Sequence, residues 1–375
     1  MKPDVFTGAL IENGFGPLIG VPCSIFKHLI NYIEDSHKIK YYTASSEGEA
    51  MGLAGGFALS GRLPVVLMQS DGYGNAINPI SSLQLLYKLP CLLLISWRGE
   101  PGKKDAPQHL IMGRTIKKFL SIFEIRYSIL DDGLENLHKA IKEAEEFCKR
   151  SSNLYALLIR KGYFESYEVQ EEEKISAFEI RISYLNVLKS LAKSQDVMIG
   201  TTGFSGREMQ HIFEHEGKFY MMGSMGCAAS IGLAIAKENP YKNIFILDGD
   251  GALLMKMGVL STIGHYATEN LLHICFDNNQ YESTGGQKTS SVSVDFTKIA
   301  KACGYNSATR VETLEDFKNV INKILKKKGP HFIRVIISPG TIDDLPRPVD
   351  TPEEMKLSLM RFLKNNQSNN LDKSG

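Results

Sequence analysis

Short apolar runs alternate with longer helical patterns along this chain of 375 residues. Each run is apolar on both faces, which is typical of strands buried in a parallel sheet. Repeated strand–helix–strand units predict an α/β fold with doubly wound parallel sheets, because helices must cover both faces of such a sheet. The predicted strands are residues 17–20, 40–44, 64–69, 90–96, 155–160, 197–201, 243–247, 272–276 and 331–337. The predicted helices include residues 47–60, 134–149, 180–192 and 314–328.

A polar and acidic stretch divides this pattern into two α/β units of comparable size. Residues 166–176 follow a strand that closes the first unit, and their composition is typical of an interdomain linker. We therefore expect one domain over residues 1–165 and a second over residues 177–363. Residues 364–375 are polar and small, so we expect a disordered tail there.

The overall charge limits the classes of partner. Lys plus Arg number 43 and Asp plus Glu number 42, which gives a formal net charge of +1. This balance argues against a nucleic-acid scaffold or a protein bound to anionic membranes, since both need a basic excess. No apolar run approaches the roughly 18 residues of a membrane span. The N-terminus lacks a secretory signal pattern, and the six cysteines form no CxxC pair, which favours the cytoplasm.

Two turns rich in glycine and amide residues follow neighbouring strands of the second unit. Residues 249–251 (GDG) follow one strand, and residues 277–279 (DNN) follow the next. In open α/β sheets, ligands bind at the carboxyl ends of strands. Carboxylate and amide oxygens suit Mg²⁺, and the glycines let main-chain N–H groups approach a phosphate. The pattern predicts a Mg²⁺–diphosphate site, with two ordinary strand-end turns as the alternative.

This arrangement resembles the thiamine diphosphate enzymes, whose second domain binds the cofactor diphosphate through Mg²⁺. The resemblance implies that Asp250 and Asn278 are metal ligands and that the main-chain carbonyl of Gln280 completes the set. Asn279 is the competing alignment for the amide ligand. The residues implied in diphosphate and metal binding are Gly249, Asp250, Gly251, Asn278 and Gln280.

A second motif of this family lies upstream. Residues 223–226 (GSMG) match a G-[ST]-[MI]-G stretch that holds the two rings of the cofactor in a V shape. The resemblance implies that Met225 is the wedge beneath the cofactor and that the Gly223 carbonyl accepts the amine of the pyrimidine, with Ser224 between them. Ordinary core packing is the alternative for a lone methionine.

The first unit should supply one carboxylate to the pyrimidine ring, and two residues compete for this role. Ser46 and Glu49 form a capping-box pattern, which explains Glu49 without catalysis. Glu47 instead fits the spacing of the family motif, although Ser46 stands where the family often has asparagine. The resemblance therefore implies that Glu47 is the catalytic glutamate, which favours the imino tautomer of the cofactor.

Three segments at strand ends resemble phosphonopyruvate decarboxylase and its relative sulfopyruvate decarboxylase more closely. They are residues 20–24 (GVPCS), residues 68–75 (MQSDGYGN, beside MQNSGLGN in the family) and residues 97–109 (WRGEPG, then DAPQH). The third segment points to the phosphonopyruvate enzyme. The candidate substrate residues are Ser24, Gln69, Arg98 and His109.

Each of these side chains also has an ordinary explanation. Arg98 has the shape to bind a phosphonate or carboxylate, but arginines are common on protein surfaces. His109 could relay a proton, bind an anion or be purely structural. Ser24 could cap a helix without touching substrate.

The resemblance implies non-oxidative decarboxylation of 3-phosphonopyruvate to phosphonoacetaldehyde and CO₂, through a thiamine diphosphate ylid and enamine. It also implies two domains without a middle domain, and a homodimer or larger homo-oligomer with the active site at the subunit interface. One alternative is a decarboxylase of sulfopyruvate or another 2-oxo acid. Others are a non-catalytic cofactor-binding subunit and a nicotinamide oxidoreductase, although the dinucleotide-binding loop is missing from the sequence.

Overall fold

The computed structural model describes residues 1–131, 133–169, 177–266, 268–346 and 349–371, with side chains described as far as residue 364. The described residues fall into two compact units. The first comprises Met1–Glu173 with Thr284–Lys288, and the second comprises Lys174–Ser283 with Thr289–Gly375. The domain bounds 1–165 and 177–363 stay predictions, and residues 170–176 of the predicted linker lie outside the described residues.

The described part of the first unit forms a six-stranded sheet in which every pairing is parallel. Its strands are β1 (Phe15–Gly20), β2 (Tyr41–Thr43), β3 (Leu63–Gln69), β4 (Leu92–Ser96), β5 (Arg126–Leu130) and β6 (Tyr155–Ile159). The strand order is β2-β1-β3-β4-β6-β5. Its helices are α1 (Pro3–Glu12), α2 (Lys27–Ser36), α3 (Glu47–Leu59), α4 (Tyr73–Pro79), α5 (Leu110–Ile122) and α6 (Leu134–Ser151). A π-helical segment (Ile80–Leu85) follows α4, and a 3₁₀ helix (Pro107–His109) precedes α5.

Helices cover both faces of this sheet. Val65 and Leu67 of β3 belong to one apolar cluster with residues of α1, α2 and α6, whereas Val66 and Met68 belong to another with residues of α3, α4 and α5. Successive side chains of a strand point to opposite faces, so each strand serves both clusters. This two-sided burial explains why the central strands are apolar throughout.

The described part of the second unit repeats this architecture. Its sheet contains β7 (Val197–Gly200), β8 (Lys218–Tyr220), β9 (Ile244–Gly249), β10 (Leu271–Asp277), β13 (Ser307–Val311) and β14 (His331–Ile336). The order is β13-β14-β10-β9-β7-β8, again parallel throughout. After β10 the chain continues with two short strands, β11 (Gln280–Tyr281) and β12 (Gln287–Lys288), and two 3₁₀ helices, Glu282–Thr284 and Ser290–Ser293. Of these, β12 lies in the Thr284–Lys288 segment that belongs to the first unit. The helices are α7 (Arg181–Leu191), α8 (Phe204–Ile212), α9 (Ala228–Glu238), α10 (Asp250–Met255), α11 (Val259–Tyr266), α12 (Phe296–Ala302), α13 (Leu314–Ile324) and α14 (Pro352–Leu371).

The predicted fold class is confirmed, and every predicted strand is present within a few residues of its expected bounds. Among the described strands of the two six-stranded sheets, the sequence missed β5, β8 and β13. All three lie at sheet edges, where they are only partly buried. An edge strand keeps polar residues on its exposed positions, so it lacks the continuous apolar run used to find the others.

The C-terminal part of the chain differs in part from its expected form. Helix α14 continues to Leu371, so it includes most of the segment for which we expected disorder. Residues 372–375 lie outside the described residues, and disorder there stays a prediction. Across the described parts of the chain, no helix is long and apolar enough to cross a membrane.

The close approach of β1 to β3 generates a stability prediction. A β-carbon on Gly20 would overlap the main-chain oxygen of Leu67, which cannot move without breaking the sheet. We expect Gly20→Ala to lower the free energy of unfolding of the first unit by about 1–3 kcal/mol. The matched control is Gly52→Ala, at a helical position with open space around it, which should be neutral or stabilise by up to about 1 kcal/mol. Thermal unfolding measures both, and an equal effect of the two variants would contradict this account.

Candidate active site

Asp250 begins helix α10 directly after strand β9, with Gly249 before it and Gly251 after it. Its side chain is 3% exposed. Its Oδ2 atom accepts hydrogen bonds from Thr289 Oγ1 at 2.6 Å and from Ser291 Oγ at 3.1 Å. The candidate metal ligand is therefore a buried carboxylate held by two hydroxyl groups.

The Ser291 hydroxyl lies among three acceptor oxygens. Its Oγ atom is 3.1 Å from Asp250 Oδ2, 2.9 Å from Asp277 Oδ1 and 2.9 Å from Asn279 Oδ1. A hydroxyl group has one proton to donate, so it cannot satisfy all three at once. Arg334 neutralises Asp277 through Nη2, which lies 2.6 Å from Asp277 Oδ2. Hard oxygen atoms therefore converge beside Asp250.

Asn278 is held by different partners. Its Oδ1 accepts the N–H of Gln280 at 3.0 Å, and its Nδ2 donates to Glu282 Oε2 at 3.1 Å. Glu282 is anchored in turn by Arg181 Nη2 at 2.9 Å. Asn279 adopts a left-handed conformation with φ of 59°. The structure therefore links Asn279 to Asp250 through Ser291 and links Asn278 to Gln280, so both alignments of the amide ligand stay predictions.

The electrostatics of this cluster fit a divalent cation. Burial, and next the neighbouring Asp277 carboxylate, raise the pKa of Asp250 to about 7. Among the described residues, no Lys or Arg forms an ion pair with Asp250. A Mg²⁺ ion would supply the missing positive charge, and its preferred ligands are oxygen atoms of this kind. The residues present therefore fit the metal.

The GSMG segment lies between β8 and α9, close to the helix that carries Asp250. A β-carbon on Gly226 would be 2.8 Å from the main-chain oxygen of Ala252 in α10. Ser224 is exposed and has a φ of 52°, while Gly223 and Met225 are half-buried. Ordinary core packing would require a fully buried methionine, and Met225 is only half-buried.

In the first unit, Glu47 is the first residue of α3 and is 6% exposed. Its Oε2 atom accepts a hydrogen bond from Asn75 Nδ2 at 2.8 Å. A β-carbon on Gly72 would overlap the Glu47 carboxylate, so only glycine permits this approach. Strand β2 and the first turn of α4 thus bring a buried carboxylate and its amide partner together.

Glu49 has a separate and local role. Ser46 Oγ accepts the N–H of Glu49 at 3.3 Å, which confirms the predicted helix cap. The Glu49 carboxylate accepts the N–H of Ser45 at 2.8 Å, one residue earlier than a standard capping box.

Arg98 follows strand β4 and is held by a carboxylate. Its Nε is 2.7 Å from Asp105 Oδ2, its Nη2 is 2.5 Å from Asp105 Oδ1, and its Nη1 is 3.3 Å from Ser24 Oγ. Although burial acts to raise it, Arg98 and the N–H groups of Gly99 and Ala106 hold the pKa of Asp105 well below its usual range. The structure thus brings Arg98 and Ser24 together, with most of the guanidinium fork already engaged.

His109 ends the 3₁₀ helix and is 8% exposed, with its Nδ1 atom 2.6 Å from Asp71 Oδ2. Gln69 is the last residue of β3 and is half-buried. Sequence reasoning proposed these two but missed the partners that hold the candidate residues. Asp71, Asn75 and Asp105 lie within the segments that resemble the family, so the sequence carried a signal for them. The other three lie outside those segments and carried none. The missed partners are Asp71, Asn75, Asp105, Glu282, Thr289 and Ser291.

Comparison with known proteins agrees with both units. The N-terminal TPP binding domain of thiamine pyrophosphate enzymes matches residues 3–116, and the C-terminal TPP binding domain matches residues 198–335. Thiamine pyrophosphate is the same cofactor as thiamine diphosphate. The two domain matches together cover more than half of the chain and define the class as a thiamine pyrophosphate enzyme.

Three relatives are similar along nearly the whole chain. Phosphonopyruvate decarboxylase of Streptomyces viridochromogenes is 33% identical, over 93% of this chain and 92% of that protein. That of Streptomyces hygroscopicus is also 33% identical, over 93% and 90%. Sulfopyruvate decarboxylase of Methanosarcina acetivorans is 30% identical, over 92% of each. The chain therefore belongs to the family of thiamine pyrophosphate enzymes that contains phosphonopyruvate and sulfopyruvate decarboxylases.

The raised pKa of Asp250 generates a prediction about metal binding. Mg²⁺ needs the ionised carboxylate, so its affinity should fall as the pH drops below about 7, by up to about tenfold per pH unit. At a Mg²⁺ and cofactor concentration near 100 times the dissociation constant, we expect the melting temperature at pH 8 to rise by roughly 5–10 °C. The rise should shrink at pH 6.

Asp250→Asn should abolish most of this thermal shift, because the amide removes the negative charge. Asp316→Asn, at an exposed position in α13, is the matched control and should retain it. A shift that is independent of pH, or that survives in Asp250→Asn, would remove Asp250 from the metal site.

Proposed function

We propose that this chain decarboxylates 3-phosphonopyruvate to phosphonoacetaldehyde and CO₂, with thiamine pyrophosphate and Mg²⁺ as cofactors. The observation that carries the proposal is 33% identity to phosphonopyruvate decarboxylases over 93% of the chain. Decarboxylation of sulfopyruvate is the second candidate, favoured by the 30% identity to the Methanosarcina enzyme over 92% of the chain. Both are reactions of a 2-oxo acid that carries a second anionic group.

The cofactor, when bound, supplies the electron sink into which the bond to CO₂ breaks. Glu47 would bond the pyrimidine ring and favour the tautomer needed for activation. Its low exposure and its hydrogen bond from Asn75 support this role, because the carboxylate is held in one position. Gly223 and Met225 would contact the pyrimidine and support the bent form of the cofactor.

The metal and diphosphate residues lie in the second unit. Asp250, the Asn278 amide oxygen and the Gln280 carbonyl would hold Mg²⁺, and the glycines at 249 and 251 would give the phosphates access to main-chain N–H groups. Support comes from the buried carboxylate that lacks a cationic partner among the described residues. Ser224 completes the cofactor-binding segment.

The substrate residues would be Ser24, Gln69, Arg98 and His109. Arg98 and Ser24 support binding of an anionic group, since Nη1 of the arginine and the serine hydroxyl are 3.3 Å apart and both can donate hydrogen bonds. The Asp105 carboxylate fixes the orientation of the guanidinium. We further propose a cytoplasmic location, because all six cysteines are free thiols, as a reducing compartment would keep them. From the family resemblance we propose a homodimer or larger homo-oligomer, which light scattering after size exclusion would test.

The deciding experiment measures CO₂ release from phosphonopyruvate, sulfopyruvate and pyruvate in parallel, with and without thiamine pyrophosphate and Mg²⁺. We expect cofactor-dependent release with the highest kcat/KM for phosphonopyruvate, and formation of phosphonoacetaldehyde visible by ³¹P NMR. Preference for sulfopyruvate would overturn the substrate and keep the chemistry. If folded protein with bound cofactor releases no CO₂ from any of the three, it has another thiamine chemistry or is a non-catalytic subunit.

Glu47 and Glu49 provide a matched pair of variants two residues apart on one helix. We expect Glu47→Gln to lower kcat by at least about 100-fold, because the buried carboxylate that controls a proton is lost. Glu49→Gln should keep its activity and lose about 1 kcal/mol of stability at most, since Glu49 only caps the helix. Steady-state kinetics with thermal unfolding separates the two effects, and normal activity of Glu47→Gln would remove Glu47 from the catalytic role.

A further inference from the structure

A histidine–aspartate pair lies at the carboxyl edge of the first unit's sheet. His109 Nδ1 is 2.6 Å from Asp71 Oδ2, although the two residues are 38 positions apart in the chain. Asp71 follows strand β3, and His109 lies beyond the end of the neighbouring strand β4. Asp71 stands where the family segment MQNSGLGN has serine, so nothing in the resemblance assigns it a role.

This pair lies next to the candidate catalytic carboxylate. Asp71 is bonded directly to Gly72, whose α-carbon faces Glu47 so closely that a β-carbon would overlap the carboxylate. Glu47 therefore contacts Gly72, which directly precedes α4, and Asn75 in the first turn of α4. Asp71, the residue before Gly72, holds His109. A histidine in this position lies near the place where Glu47 would act.

The hydrogen bond to Asp71 occupies one ring nitrogen of His109. Nδ1 and Asp71 Oδ2 are 2.6 Å apart, so a proton lies between them and Nδ1 is engaged. Within the described part of the chain, Nε2 makes no hydrogen bond. Nε2 is thus the ring atom left to exchange a proton with another molecule, and a proton there creates an imidazolium whose charge the Asp71 carboxylate stabilises.

The surrounding charges favour proton transfer over anion binding by His109. The nearby groups are Asp71, Arg98, Asp105, Glu47 and the thiol of Cys23. Arg98 is engaged by Asp105, and burial raises the pKa of the Cys23 thiol, so it stays neutral. Because Arg98 is paired with Asp105 and His109 with Asp71, the His109–Asp71 pair would add little attraction for an anionic tail.

We propose that Asp71 is a positioning residue that holds His109 as the proton donor of the decarboxylation. The inference rests on the proposed function. Loss of CO₂ breaks the bond between the carboxylate carbon and the keto carbon. The electron pair of that bond is left with the former keto carbon. The His109 Nε2–H bond breaks as the C–H bond of the aldehyde forms, and solvent returns a proton to His109.

The test compares Asp71→Asn, Asp71→Glu and His109→Gln with Asp4→Asn, an exposed control in the same unit. We expect His109→Gln to lower kcat by about 100-fold or more while KM changes little. Asp71→Asn should lower kcat by a smaller factor and move the alkaline limb of the kcat profile to lower pH, because the imidazolium loses its carboxylate. Asp71→Glu should restore part of kcat and part of the position of the alkaline limb. Asp4→Asn should match the wild type in both quantities.

A second readout does not depend on activity. In ¹⁵N-histidine-labelled protein, long-range ¹H–¹⁵N spectra report which ring nitrogen is protonated, and His109→Gln assigns the signal. We expect a protonated Nδ1 in the wild type and a changed ring pattern in Asp71→Asn. Unchanged ring signals together with an unchanged pH profile in Asp71→Asn would overturn the inference.

Three further outcomes would also decide against it. If His109→Gln raises KM and leaves kcat intact, His109 binds the anionic tail and is not the proton donor. A cofactor-bound wild type that decarboxylates none of the three acids overturns the proposed function and the donor role with it. If the wild type is active and the Asp71 variants match it in kcat and in pH profile, only the present inference is overturned.

Discussion

Parallel strand pairing is the constraint on which the rest of the structure depends. When every strand of a sheet runs in the same direction, all carboxyl ends meet at one edge, and so do the loops that follow them. In the first unit this edge gathers Ser24 after β1, Glu47 after β2, Asp71 after β3 and Arg98 after β4. Residues far apart in sequence become neighbours because the crossovers return each strand to the same side.

The same constraint explains how much of the fold could be predicted from the sequence. A central strand such as β3 or β9 is buried on both faces, so its apolar run is visible without any structure. Strands at the edge carry a mixed pattern, because one side meets solvent or a loop. Arg126–Leu130 contains exposed and half-buried positions, and the alternation that would mark it is too short to separate from a loop.

For the candidate site, sequence motifs located the residues and the structure supplied their partners. Glu47 and Glu49 could be separated by local rules, since a helix cap involves neighbours within three residues. The hydroxyls that hold Asp250 lie about forty positions away, and Asp71 reaches His109 across 38 positions. Contacts of that range follow from sheet topology and loop conformation, which no spacing rule encodes.

The two units handle charge in opposite ways. Arg98 and His109 each face a carboxylate of their own, so recognition of a substrate there depends on the directions of hydrogen bonds more than on net charge. Around Asp250, acceptor oxygens outnumber the protons available to them, and the arginine present is committed to Asp277. The first arrangement is complete by itself and suits orientation and proton transfer. The second is electrostatically incomplete, and a bound divalent cation is the group whose charge and ligand preference would complete it.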